Sequence, residues 1–489
     1  MNLAESVKPG GARTKVVIYT TDVLGERMAG PGIRALRFAQ QLSPVAEVRL
    51  VAHVTADLRS DDFLIEVANG ERLLEHLRWA DVAIVQSPIF TMMPEVLDID
   101  VIVVSDLYDP FLLEQLQQGL YIESTDQDLG AAWTVGAVND MLRYSDYFIC
   151  ASEKQRDMWI GQLSSMGRLN PQTYRSDPSL RNLIDIVPFG VDGDAPQRTG
   201  TGIRGAVEGI GQDDKILLWG GGIYDWFDPL TLIRAVAALS ERHADIRLFF
   251  LATQHANPAH ATMRIATDSI ALADELGVLG RHVFFNEVWV PHADRANYFL
   301  DADLGVSTHL DHLETSFSFR TRLLDYIWAG LPIVNSAGDA FEAAIVERGL
   351  GAVVAPGDQA GLEASIERLL YDESAATDAR AQVQAFAPEL HWESAARALV
   401  AFCVAPYHAA DAERIIGARQ AARDAAEAAA EAAAALEREN DAALQLSLQQ
   451  RAQTEAELRE RVRTLEASTS WRVTAPLRAM TRRRGAKRP

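Results

Sequence analysis

The sequence predicts an α/β protein with two doubly wound, Rossmann-like domains facing a cleft, followed by a long C-terminal helix. Three observations predict it. The chain has 489 residues, too many for one core. Short β-branched apolar runs alternate with amphipathic stretches, as in sheets buried on both faces. The alternation stops at a polar, Gly-rich interval and then restarts.

Taken in order, the first set of strands is expected at "KVVIYT" (15–20), "EVRLVAH" (47–53), "VAIVQS" (82–87), "VIVVSD" (101–106), "YFICAS" (147–152) and "IDIVPFG" (184–190). Stretches such as "RALRFAQQL" supply the helices between them. These elements make residues 1–191 one domain. The aperiodic stretch 192–214 reads as a linker. The second set is expected at "KILLWGG" (215–221), "RLFFLAT" (247–253), "HVFFNEV" (282–288), "DLGVSTH" (303–309), "LPIVNS" (331–336) and "GAVVAP" (351–356), giving a domain over 215–407. Alternating strands and helices imply right-handed parallel units, with ligands at the carboxyl ends of strands. Residues 408–466 are rich in Ala and Glu and favour helix. There Leu444, Leu448, Leu458, Val462 and Leu465 keep a 3/4 spacing, with Arg451 and Glu455 on the same stripe. Self-association of 408–466 as a coiled coil is therefore an open expectation. Residues 467–489 form a basic tail in which Trp471, Val473, Leu477 and Met480 alternate with Arg472 and Arg478, before Arg482, Arg483, Arg484, Lys487 and Arg488. The sharper reading of 471–488 is peripheral contact with an anionic membrane face; the plain one is a solvated tail.

Composition narrows the function. The formal charge is −22, which argues against a nucleic-acid partner. Cys150 and Cys403 are the only cysteines, so neither a disulfide framework nor a Cys-based zinc site is expected. The N-terminus lacks an apolar leader, and no run reaches about 18 apolar residues, so a cytoplasmic protein, at most attached to the inner membrane face, is expected.

Four places combine glycine or charge with the end of a strand. In "GERMAGPGIR" (25–34), Gly30 and Gly32 would let backbone N–H groups approach a ligand at a helix start, and Arg34 suits a phosphate or acceptor contact. Arg27 lies in the same bend, and the whole stretch also suits an ordinary βα turn. In "WGGGIYDWFDP" (219–229), Gly221 and Gly222 would admit a phosphate and Asp225 would point into the loop; a tight turn before Pro229 is the alternative. In "HLDHLETSFSFRTRLLDYIWAGLPIVNS" (309–336), Glu314, Ser318, Arg320 and Arg322 precede a helix carrying Asp325. Arginines suit bidentate diphosphate contact, and Asp325 could hold ribose hydroxyls. In "VVSDLYDPFLLE" (103–114), Asp106 ends a strand with Tyr108, Asp109 and Glu114 near, and could bond a hydroxyl nucleophile or cap a helix. His309 and His312 lack a third ligand, so no metal site is expected.

On these motifs, residues 14 to about 405 resemble the family 4 group of GT-B glycosyltransferases, in the subgroup found among bacterial surface-polysaccharide enzymes. Gly330, Pro332, Ile333 and Val334 match the end of the family's donor-site pattern. Asp325 stands where the second of two glutamates belongs, and Phe317 stands in the place of the first, with Glu314 the nearest acid. "YDWFDP" replaces the family's diphosphate-binding lysine, and Arg320 and Arg322 could compensate. The resemblance implies a metal-independent, retaining transfer of a sugar from a nucleotide-diphosphate sugar to a glycan or lipid-linked acceptor, with no cofactor. It implies an N-terminal acceptor domain and a C-terminal donor domain; the residue reading itself makes Arg320 and Asp106 the catalytic candidates. A catalytically inactive GT-B scaffold and a GT-B epimerase or phosphorylase remain as alternatives.

Overall fold

A computed structural model describes residues 13–26, 28–120, 126–253, 263–288 and 290–485, without side-chain detail at 422, 423 and 481–485. Arg27, Lys487 and Arg488 lie outside the described residues. Two compact units are present, residues 1–412 and 413–489.

The first unit holds two parallel sheets. One has seven strands: β1 (Thr14–Thr20), β2 (Ala46–Ala52), β3 (Leu64–Val67), β4 (Val82–Val85), β5 (Ile102–Asp106), β6 (Tyr147–Cys150) and β7 (Ile184–Ile186). Their order is β3-β2-β1-β4-β5-β6-β7. The other has six: β8 (Lys215–Trp219), β9 (Ile246–Phe250), β10 (Val283–Phe285), β11 (Leu304–Ser307), β12 (Ile333–Ser336) and β13 (Gly351–Val354), in the order β10-β9-β8-β11-β12-β13. All the pairings are parallel, beginning with Thr14 opposite Ala46 and Lys215 opposite Ile246. The central strands are buried along their length, as their β-branched runs require.

Twelve of these strands match the expected runs, mostly shortened at their carboxyl ends, where the chain leaves the sheet to form loops. The thirteenth, β3, was not expected. It is a four-residue edge strand within "FLIEVA" (63–68), an apolar stretch interrupted by Glu66, with Leu64 and Val67 exposed. The strand orders reverse between β1 and β4 and between β8 and β11. Those switch points open crevices at the carboxyl ends of the strands.

Residues 192–214 contain no helix or strand but are well anchored. Ile203 and Ile210 are buried, and Asp301 accepts hydrogen bonds from the backbone N–H groups of Ile203 and Arg204 at 2.6 and 3.0 Å. The chain crosses back at its end: helix Arg397–Val404 packs near β1, and Asp411, fully buried, receives Arg168 Nε at 3.1 Å.

The second unit takes in all but the first residue of a 56-residue helix, Ala412–Ala467, and helices Thr469–Val473 and Ala475–Gly485. Pro476 falls in the first turn of the last helix, where its missing N–H costs nothing. No helix among the described residues is long and apolar enough to cross a membrane.

Candidate active site

Between the two sheets lies a cavity of about 640 Å³. From the N-terminal half it is lined by Asp22, Gly30, Tyr108, Asp109, Glu114 and Phe189. From the C-terminal half come Gly221, Gly222, Tyr224, Trp226, Arg320, Arg322 and Asp325, with His292 and Arg295.

The opening turn after β1 is built around Asp22. Its Oδ2 accepts from the N–H groups of Ala29 at 3.1 Å and Gly32 at 2.8 Å, at the start of helix Gly30–Leu42. A carboxylate thus meets the positive end of the helix. A Cβ at Gly32 would lie 2.7 Å from the Val23 carbonyl oxygen, so glycine is needed there for the chain's own packing. Gly32 does not line the cavity; Gly30 does.

Arg34 and Asp106, expected on the cleft, lie beneath it. Both are fully buried. Arg34 donates through Nε to Asp106 Oδ2 at 2.7 Å and through Nη2 to Asp106 Oδ1 at 2.8 Å. Nη2 also reaches the Val187 carbonyl at 2.7 Å, and the guanidinium lies 4.5–5.3 Å from the ring centres of Phe38, Tyr108 and Phe189. Neither residue lines the cavity. The fork fixes the end of β5 against the helix and so places the next loop.

That loop carries Asp109 and Glu114, which do line the cavity. Burial raises the Asp109 carboxyl to about 7, helped by the nearby Asp106 charge and opposed by a hydrogen bond with Tyr108. Burial also raises Glu114 well above the ordinary range, with Asp109 and Glu314 pushing the same way. The wall therefore holds one carboxyl poised near neutrality and a second whose pKa is raised in the same direction.

Opposite stands helix Thr321–Trp328, whose first residues face the cavity. Arg320 is 6 % exposed in its side chain and bonds Glu314 through Nη1 at 3.1 Å and Nη2 at 2.8 Å, leaving Nε with no partner. Arg322 Nη2 donates to the Gly222 carbonyl at 2.8 Å, and Nη1 has no partner. Burial lowers Arg322 to about 10, so it stays cationic at neutral pH. Its guanidinium packs over Phe227 and Trp219 at 4.1 and 4.4 Å. Two buried arginine N–H groups thus remain unpartnered at the start of one helix.

Glu314 and Ser318 sit behind Arg320 and hydrogen-bond each other; neither lines the cavity. Phe317 is placed off the cavity as well, its carbonyl accepting from Gln155 Nε2 of the other half at 2.8 Å. Asp225 accepts from the Ile265 N–H at 2.9 Å, bracing helix Arg264–Glu275, and does not line the cavity. Gly221 adopts φ +142°, a conformation that favours glycine. Tyr224 and Trp226 stack at 4.9 Å and 6°.

Asp325 lies at the cavity edge, with burial raising its pKa. Arg295 Nε reaches its Oδ1 at 3.0 Å, and Arg295 Nη2 reaches Asp192 at 3.3 Å. Arg295 had no sequence signal: it follows β10 in a segment without periodicity. His292 beside it is lowered by burial and by Arg295 to about 3, so it is neutral.

No family model and no curated protein matches the chain. Solved structures do. WaaG, a glycosyltransferase involved in lipopolysaccharide biosynthesis, aligns at TM-score 0.54 and 18 % identity over 80 % of this chain and 100 % of its own. Sucrose-phosphate synthase from Thermosynechococcus elongatus aligns at 0.54 and 16 %, over 79 % and 97 %. HepE from Anabaena, solved in complex with UDP-glucose, aligns at 0.55 and 13 %, over 81 % and 100 %. At these identities the likeness shows the fold, which is GT-B.

Proposed function

We propose that the protein is a retaining glycosyltransferase that moves a sugar from a nucleotide-diphosphate donor to a glycan or lipid-linked acceptor, in the synthesis of a cell-surface polysaccharide. The observation that carries the reading is the pair of unpartnered, buried N–H groups, Arg320 Nε and Arg322 Nη1, at the N-terminus of helix Thr321–Trp328. Buried donors left unpaired cost free energy, and a diphosphate would satisfy both. Negative charge grows on that diphosphate as the glycosidic bond breaks, and donors already in place stabilise it without reorganising. This arrangement is metal-independent. WaaG and HepE share the fold, and HepE's complex with UDP-glucose supports a nucleotide-sugar donor.

The remaining roles follow from position. Asp325 would accept from ribose hydroxyls, with Arg295 holding its carboxylate. Gly221 and Gly222 would let the backbone approach the phosphates. On the facing wall, Asp109 takes the place first expected of Asp106. Ionised, it would accept from the acceptor hydroxyl and aim it, while the departing phosphate takes the proton. The Arg34–Asp106 pair would act as the rigid floor beneath it. In the tail, Trp471, Val473, Leu477 and Met480 are exposed. With the basic residues around them they would attach the protein to the inner membrane face, which suits a lipid-linked acceptor.

A second reading, an inactive GT-B scaffold, is favoured by Phe317 in place of a cleft carboxylate and by Glu314 being spent on Arg320. Calorimetry with UDP, GDP, ADP and dTDP, followed by release of nucleoside diphosphate from the matching sugars, separates the two. Binding with turnover supports the transferase. Binding without turnover over any acceptor extract supports the scaffold. Dissociation constants above about 1 mM for all four would sink the transferase.

A further inference from the structure

The 56-residue helix Ala412–Ala467 carries its largest side chains in the open. Leu444, Leu448, Leu458, Val462 and Leu465 are each more than half exposed. With Arg451 and Glu455 they form one unbroken series at steps of four and three residues, from 444 to 465. That is the spacing of a two-helix seam. An exposed seam of this length calls for a partner, and the two charges in its middle select which one.

We propose that this seam pairs with the same seam of a second copy of the chain, in antiparallel orientation, centred at the level of Gln453. In that register Leu444 lies opposite Val462 of the second copy, Leu448 opposite Leu458, and Arg451 opposite Glu455. The pairs recur by symmetry, giving four apolar layers and two ionic ones. The seam stops where Leu465 would meet Asp441. A parallel pair in register would instead set Arg451 against Arg451 and Glu455 against Glu455. Like charges facing across a seam are repulsive, so the charge pattern chooses the antiparallel pair. Within one chain Glu455 is paired with Arg459, but both side chains are more than 60 % exposed, and such a pair holds weakly. It would yield to a contact flanked by apolar layers. The ionic layers add little to affinity and act mainly to fix direction and register.

The test uses the full-length protein. Cys150 and Cys403 are buried, so introduced surface thiols would be the reactive ones. Leu448→Cys and Leu448→Cys/Leu458→Cys are incubated in a glutathione redox buffer. In the proposed register the double variant forms covalent dimers in high yield. The single variant does not, because residue 448 of each copy lies about ten residues, or ~15 Å, from its counterpart along the axis. Sedimentation of the unmodified protein should give twice the chain mass. Arg451→Glu should weaken the dimer about tenfold or more, and Arg451→Glu/Glu455→Arg should restore it, since two attractive contacts become repulsive and then attractive again. A parallel pair would show no loss with Arg451→Glu, which only exchanges one like-charged layer for another. The proposal is overturned if Leu448→Cys alone cross-links as well as the double variant. It is equally overturned if the unmodified protein sediments as a monomer or as any species other than a dimer.

Discussion

Arg34 and Asp106 allow a sharp separation of structural from ligand-binding roles. Replacing Arg34 with Met keeps most of the stem but removes the fork. Asp106 then remains fully buried, with Gln86 Nε2 at 3.2 Å as its side-chain donor. Breaking a buried ion pair by deleting one partner costs about 3–5 kcal/mol, because the other charge is left uncompensated. The bond to the Val187 carbonyl and the contacts with Phe38, Tyr108 and Phe189 are lost as well. Against a total stability of about 5–15 kcal/mol, the N-terminal half should open far more readily. Asp106→Leu should cost a similar amount, because it strands the arginine. The double variant should cost less than the sum of the two by about 1–3 kcal/mol, the coupling expected of residues in contact. Hydrogen exchange of β5 and of helix Gly30–Leu42 reads this locally, without assuming that the whole chain unfolds in one step. At temperatures where the variants stay folded, nucleoside diphosphate binding should be retained within a few-fold. If Arg34→Met leaves exchange unchanged yet abolishes nucleotide binding, the arginine serves a ligand and the structural assignment is wrong.

Three further outcomes follow from the cleft. Arg322→Lys should keep the charge and the bond to the Gly222 carbonyl but lose the second donor, reducing transfer by roughly 10²–10³-fold at near-normal stability; unchanged turnover would exclude a phosphate contact at this residue. Asp325→Asn should weaken nucleoside diphosphate binding in calorimetry while leaving the thermal midpoint close to that of the parent. Turnover should rise with pH through about 7 as Asp109 ionises, and Asp109→Asn should remove that rise. The same shift acts oppositely on stability. The folded carboxyl holds its proton up to about 7, against 3.8 ordinarily, so between those values the folded state binds more protons. Its contribution to stability therefore falls as pH rises across that window, and the Asp109→Asn variant should show a shallower decline in thermal midpoint.

The fold was legible because buried parallel strands are nearly continuous apolar runs, and twelve of them could be read directly. The edge strand β3 escaped although "FLIEVA" is mostly apolar, because the run is short and Glu66 interrupts it. In the C-terminal half, Arg320, Arg322 and Asp325 line the cavity as expected from the same logic, charge at a strand's carboxyl end before a helix. Asp225 and Glu314 share that logic but do not line the cavity. A carboxylate near a cleft is as useful for bracing a helix or an arginine as for touching a ligand, and one chain's residue order does not distinguish these uses. Arg295 and His292 were unreadable for a different reason. Their position depends on β10 lying at the sheet edge and on the chain after it folding back over β8, which is a property of topology and leaves no local pattern.

The turn at Gly25–Arg34 shows how far such reading goes. Its glycines and its arginine together suggest a backbone opened for an anion. The anion is there, but the chain supplies it: Asp22 occupies the helix start through the N–H groups of Ala29 and Gly32. The arginine in the first turn, a poor place for a cation near a helix N-terminus, is offset by a second carboxylate, Asp106, on its other side. The arginine that looked aimed at a ligand instead satisfies an internal carboxylate. The described part of the turn presents Gly30 and Asp22 to the cavity, beside Asp109. Buried arginine N–H groups without a partner occur on both sides, Arg34 Nη1 on one and Arg320 Nε and Arg322 Nη1 on the other, but of these arginines only Arg320 and Arg322 line the cavity. In the proposed transferase, arginines lining only the C-terminal wall would draw a diphosphate to that side, and the carboxyls of Asp109 and Glu114 would leave the N-terminal wall for a hydroxyl-bearing acceptor.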